Sequence, residues 1–113
     1  RGLRDVYKRQ PLQFGFSFNS ERKNIEKHIH NKLPRTLKGT SEFIYVINGK
    51  MKVKIFDQDA EFISDIVIKD NQALLQFEGG HSFQIEKGTK FFEIKQGPYL
   101  GQKADKKYED SSK

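Results

Sequence analysis

The chain has 113 residues, with 21 Lys and Arg against 15 Asp and Glu, a formal charge of +6 and no cysteine; it can enclose one core but not two. Without cysteine there is no disulfide, thiolate zinc site or cysteine nucleophile, a composition that fits a reducing cytoplasm. No apolar run approaches the ~20 residues that span a bilayer.

Residues 1–10 read as a non-native leader. No Met begins them, and Asp5-Val6-Tyr7-Lys8-Arg9-Gln10 looks like the translation of a transposase adapter used in sequencing libraries. Arg1, Arg4, Lys8 and Arg9 against Asp5 account for three of the six net charges, so half of the basic balance belongs to this leader. Residues 11–103 are expected to form one domain, and the polar run 104–113 a disordered tail unless Tyr108 docks.

From the N-terminal side, residues 13–18 alternate Phe14, Phe16 and Phe18 with polar or small residues, the period of a half-buried strand. Residues 26–30 are short and strand-like, and carry His28 and His30. Two apart in a strand, these side chains share a side and can aim at one point. Residues 31–41 form a loop containing Pro34, Arg35 and Gly39.

Beyond residue 42 the chain reads as short strands separated by turn chemistry about every ten residues, the signature of a sandwich or barrel. Runs 43–47 and 51–56 flank Asn48-Gly49, a strong hairpin signal because both positions accept φ > 0. Strands are expected at 62–68, 73–77, 81–85 and 91–96. Glu42 shares a side with Ile44 and Val46, and His81 with Phe83 and Ile85, so both should face the interior. An ionised carboxylate there must be paired or bound to a metal. Phe43, Tyr45 and Ile47 make the opposite face of the same strand apolar too, and a homodimer interface is the expected cover. No window shows apolar recurrence at helical spacing. The expected class is all-β.

Three imidazoles and a carboxylate (His28, His30, His81 and Glu42) form a first shell suited to a divalent transition metal. Their arrangement resembles the cupin superfamily. His28-Ile29-His30 followed by Glu42, with six residues before Gly49, looks like the first cupin motif; Phe77-Glu78-Gly79-Gly80-His81 is similar to the second. The stretches Gly80-His81-Ser82-Phe83 and Lys95-Gln96-Gly97-Pro98-Tyr99 resemble small bacterial cupins of polysaccharide and sugar-nucleotide pathways. The resemblance spans roughly residues 26–94. It implies a double-stranded β-helix, a jelly-roll barrel with a metal or ligand site in its mouth. The chain departs from the pattern in three places: eleven residues separate His30 from Glu42 where three or four are usual, Ile85 replaces the expected asparagine, and the second motif lacks its proline.

Three functions follow as expectations. The first is a metal-dependent cupin, holding zinc, manganese, iron or nickel through His28, His30, Glu42 and His81. It would bind or act on a small polar metabolite, a sugar or sugar-nucleotide derivative, by isomerase or epimerase chemistry. The second keeps that chemistry without metal, with His30 or His81 as general base. The third is a non-enzymatic ligand-binding or single-strand nucleic-acid-binding barrel using Phe14, Phe16 and Phe18 as stacking rings. The small residual charge and the lack of a basic stripe argue against nucleic acid and for a core or dimer seam. Arg35, with its planar fork, and Tyr45 and Tyr99 are the substrate-binding candidates, with ordinary surface or packing roles as their alternative. Gly80 is expected to need φ > 0 or close backbone approach. Asp57, Asp59 and Glu61 lack the glycine and distal glutamate of a calcium loop and read as a hairpin tip.

Overall fold

A computed structural model describes residues 11–98 and 101. The expected leader, the tail and Tyr99 lie outside the described residues. The chain forms two units, Arg1–Lys38 and Gly39–Lys113.

In the first unit none of the described residues 11–38 lies in a helix or strand, and all but Leu12 are exposed. This corrects the strands expected at 13–18 and 26–30. Alternation marks a sequence able to form a strand, but a strand exists only where a neighbour takes its backbone hydrogen bonds. Both sheets are built from later residues alone. Phe16 is 98% exposed, and Phe18, Ile25 and Ile29 are also uncovered.

The second unit is all-β. Its strands are β1 (Glu42–Asn48), β2 (Lys50–Phe56), β3 (Phe62–Lys69), β4 (Gln72–Gln76), β5 (Gly80–Ile85) and β6 (Lys90–Lys95). They make two antiparallel three-stranded sheets, ordered β4-β1-β6 and β3-β2-β5. Each strand begins or ends within a residue of its expected bounds, because period-two alternation of β-branched and aromatic residues carried the signal. Ile44 and Val46 of β1, Met51 and Val53 of β2 and Ile68 of β3 are buried together, with Ile55, Ile66, Leu74 and Phe91 packed against them. The two sheets therefore face each other across one small apolar layer, as in a β-sandwich. The described residues include no closed barrel and no helix long and apolar enough to cross a membrane.

The connection at Asn48-Gly49 differs from its expectation. Strands β1 and β2 do not pair; the chain changes sheet between them. Gly49 does take a positive φ of 120°, but the corner is fixed by side chains from other turns. Gly49 N–H donates to Asp70 Oδ1 at 2.6 Å, and Lys50 N–H to Thr89 Oγ1 at 3.2 Å. A Cβ on Gly49 would lie 2.6 Å from Thr89 Oγ1 and 2.7 Å from Thr89 Cα, so no other residue fits without moving the backbone. The hairpin proper joins β2 and β3, where Asp57 Oδ1 accepts from the N–H groups of Asp59 and Glu61. The acidic trio is the hairpin tip, as read from its residues.

Candidate functional site at the polar end of the sandwich

The inward face of the β4-β1-β6 sheet is apolar through Val46 and Ile44 and turns polar at its next position. There Glu42 on β1 stands between Gln76 on β4 and Lys95 on β6, its register partners. Across the interior, β5 places His81 opposite Ile55 of β2. The period-two geometry that buries Ile44 sends the Glu42 carboxylate into the same interlayer space. The side chains of Glu42 and His81 are 13% and 25% exposed.

His81 Nε2 lies 3.0 Å from Glu42 Oε2, so the contact joins the two sheets directly. The other ring nitrogen is held as closely. Gln76 Nε2 donates to the carbonyls of Glu78 at 3.0 Å and Gly80 at 3.1 Å. Its Oε1 is thereby turned to accept from His81 Nδ1–H at 2.7 Å. The Phe83 ring, two residues along the same face of β5, stands 4.5 Å from the imidazole, centroid to centroid. The imidazole is thus fixed by three neighbours, and its Nε2 faces a carboxylate shielded from most of the solvent.

The turn delivering His81 depends on one glycine, and it is not the expected one. Gly79 has φ of 89°, and a Cβ there would lie 2.5 Å from the carbonyl oxygen of Phe56. Gly80 has no positive φ, and a Cβ on it would meet only Phe56 Cβ at an ordinary 3.7 Å. The close approach expected at Gly80 belongs to Gly79.

His28 and His30 lie in the first unit, exposed and outside any strand. Their rings are 5.1 Å apart at 73°. His28 Nδ1 is 2.9 Å from the carbonyl of Glu26, which fixes the tautomer and leaves Nε2 as its free donor atom. Arg35 is exposed in the same unit. Tyr45 lies on the opposite face of β1 from Glu42, where its hydroxyl donates to Asn71 Oδ1 at 2.9 Å and its ring stacks on Phe92 at 5.4 Å. Its place is the outer sheet face, away from the Glu42–His81 contact.

Gln76 is the functional residue that the motif reading passed over. Its signal was parity: it shares the inward side of β4 with Leu74, and a polar residue at an inward position is as unusual as Glu42.

Donor chemistry and spacing suit a metal in part. Bonds of about 2.0–2.2 Å from an imidazole nitrogen and a carboxylate oxygen let both atoms reach one ion across the observed 3.0 Å. Nδ1–H bonded to an amide oxygen is the outer support that metal-binding histidines use. Within each unit, no three His, Cys, Asp or Glu side chains among the described residues gather at one point. No family model, curated protein or solved structure matches this chain.

Proposed function

We propose that this chain is a small metal-binding protein of the double-stranded β-helix kind. On this reading it binds or acts on a small polar metabolite, a sugar or sugar-nucleotide derivative, at the polar end of its sandwich. Glu42 Oε2 and His81 Nε2 are two of the metal's donors. The observation that carries the reading is the 3.0 Å contact between them, with His81 Nδ1 tied to Gln76. For the fold, support comes from the connections: the chain changes sheet at every one except that between β2 and β3, as a double-stranded β-helix must. His28 and His30 are proposed as a ligating pair in their own unit, on the strength of the neighbouring rings and the Glu26 carbonyl.

A bound zinc, manganese, iron or nickel ion would supply Lewis-acid polarisation of a carbonyl or hydroxyl. The chain's own contribution is orientation. Gln76 holds the ring and Phe83 flanks it, which keeps His81 Nε2 and Glu42 Oε2 aimed at a common point. The metal-free alternative keeps His81 as general base, with Nε2 facing Glu42 Oε2 and Nδ1 held by Gln76.

The outer faces of the two sheets differ in a way that supports a homodimer. The β3-β2-β5 sheet exposes Lys50, Lys52 and Lys69, which repel a like face, beside Lys54 paired with Asp65. The β4-β1-β6 sheet turns Phe43, Tyr45, Leu75, Phe92 and Ile94 outward, and a second copy can cover these without opposing like charges.

Elemental analysis after exposure to each of the four metals and dialysis tests the reading. The wild type should retain metal at both places; His28→Ala/His30→Ala should lose only the part held in the first unit, and Glu42→Gln only the part held by Glu42 and His81. Gln76→Leu should weaken affinity about 10–100-fold. Wild-type protein that retains none of the four metals overturns the metal and leaves His81 as an unassisted base.

A further inference from the structure

The Asn48-Gly49 pair did not become a hairpin, and its chemistry remains unused by the site at the other end of the sandwich. An asparagine followed by glycine is the peptide pair most prone to cyclise, because no Cβ hinders the following amide nitrogen. In that reaction the Gly49 nitrogen loses its proton and attacks Asn48 Cγ. The bond from Cγ to the side-chain nitrogen breaks, and ammonia leaves. Water then opens the cyclic imide to aspartate or isoaspartate. Asn48 is exposed, so water has access.

We infer that Asn48 is a latent deamidation site which the fold holds closed through Asp70. The nucleophile is the very N–H that donates to Asp70 Oδ1 at 2.6 Å. A carboxylate at that distance opposes loss of the proton, since it would face a second negative charge across a short gap. The backbone is held as well. Asn48 ends β1 paired with Lys90, and strand pairing holds its backbone against the turn that would bring the Gly49 nitrogen onto Cγ. On the other side Thr89 Oγ1 accepts from Lys50 N–H and donates to Lys50 O at 3.1 Å, and Gly49 rests against Thr89. Cyclisation therefore waits on local opening of this corner. Its product matters to the fold: isoaspartate adds a carbon to the main chain where the polypeptide changes sheet, and either product sets a new carboxylate near Asp70.

Peptide mapping by mass spectrometry during incubation at neutral pH reads the rate at Asn48. Folded wild type should deamidate far more slowly than the same chain in urea. Asp70→Ala should raise the folded-state rate about tenfold, the opening expected when a hydrogen bond to a charged group is lost. Equal wild-type rates in buffer and urea overturn the inference, and need no variant that folds. A slower rate in Asp70→Ala also overturns it, because Asp70 would then be drawing the proton away rather than keeping it in place.

Discussion

At the scale of single residues, Gly79 and Gly80 separate two meanings of a glycine pair. Gly79 is left-handed and its missing Cβ leaves room for the Phe56 carbonyl, whereas Gly80 sits in ordinary strand conformation with space beside it. Gly79→Ala is expected to destabilise the second unit by more than about 1 kcal/mol, since it combines unfavourable φ with overlap. Gly80→Ala should stay within about 0.5 kcal/mol of the wild type, as surface changes without such features do. Urea midpoints at constant m-value measure both; equal losses would show that the whole turn, rather than one position, is intolerant. Glu42 and His81 were legible as inward-facing residues from parity alone. That they touch was not, because they come from different sheets and are 39 residues apart in the sequence.

At the scale of elements, the β2–β3 hairpin and the Asn48-Gly49 corner make a useful contrast. The true hairpin turns on an aspartate. Asp57 Oδ1 caps two backbone N–H groups, and its own N–H donates to Glu61 O at 2.9 Å. Asp57→Ala is predicted to cost about 1–3 kcal/mol and to speed hydrogen exchange at Asp59 and Glu61 ahead of the rest of β2 and β3. Unchanged exchange at those two amides would remove Asp57 from that role. At Asn48-Gly49 the local chemistry was read correctly as a site for positive φ, yet pairing went elsewhere. Both flanking strands carry an inward apolar stripe, Ile44 and Val46 on one and Met51 and Val53 on the other. Packing these stripes face to face buries all four side chains, which pairing them edge to edge in one sheet would not do. A turn signal says that the chain bends; it does not say whether it bends within a sheet or between two.

At the scale of the whole molecule, the β4-β1-β6 sheet has an outer surface that water does not favour. Phe92 is 45% and Ile94 57% exposed, beside the half-buried Phe43 and Tyr45. An apolar face three strands wide on one side of a sandwich whose other side carries lysines is a strong asymmetry. If a second copy covers it, wild-type protein should sediment as a dimer, and Phe92→Lys combined with Ile94→Lys should yield a folded monomer. A monomeric wild type at about 100 μM, weaker than the micromolar affinities that mark a specific complex, would exclude this partner.

The amino-acid sequence by itself determined the class of structure and, for the six strands that formed, their approximate bounds and faces, since alternation with period two is a local property written residue by residue. It also determined which side chains were available for chemistry: three histidines and no cysteine. Tertiary structure decided which strands pair, which glycine is indispensable, and that Gln76 holds His81 against Glu42. It also decided that residues 13–18, despite their alternation, and the strand-like run 26–30 make no strand. Those outcomes rest on partners far apart in the chain, and a backbone hydrogen bond or a buried carboxylate is favourable only once its partner has arrived.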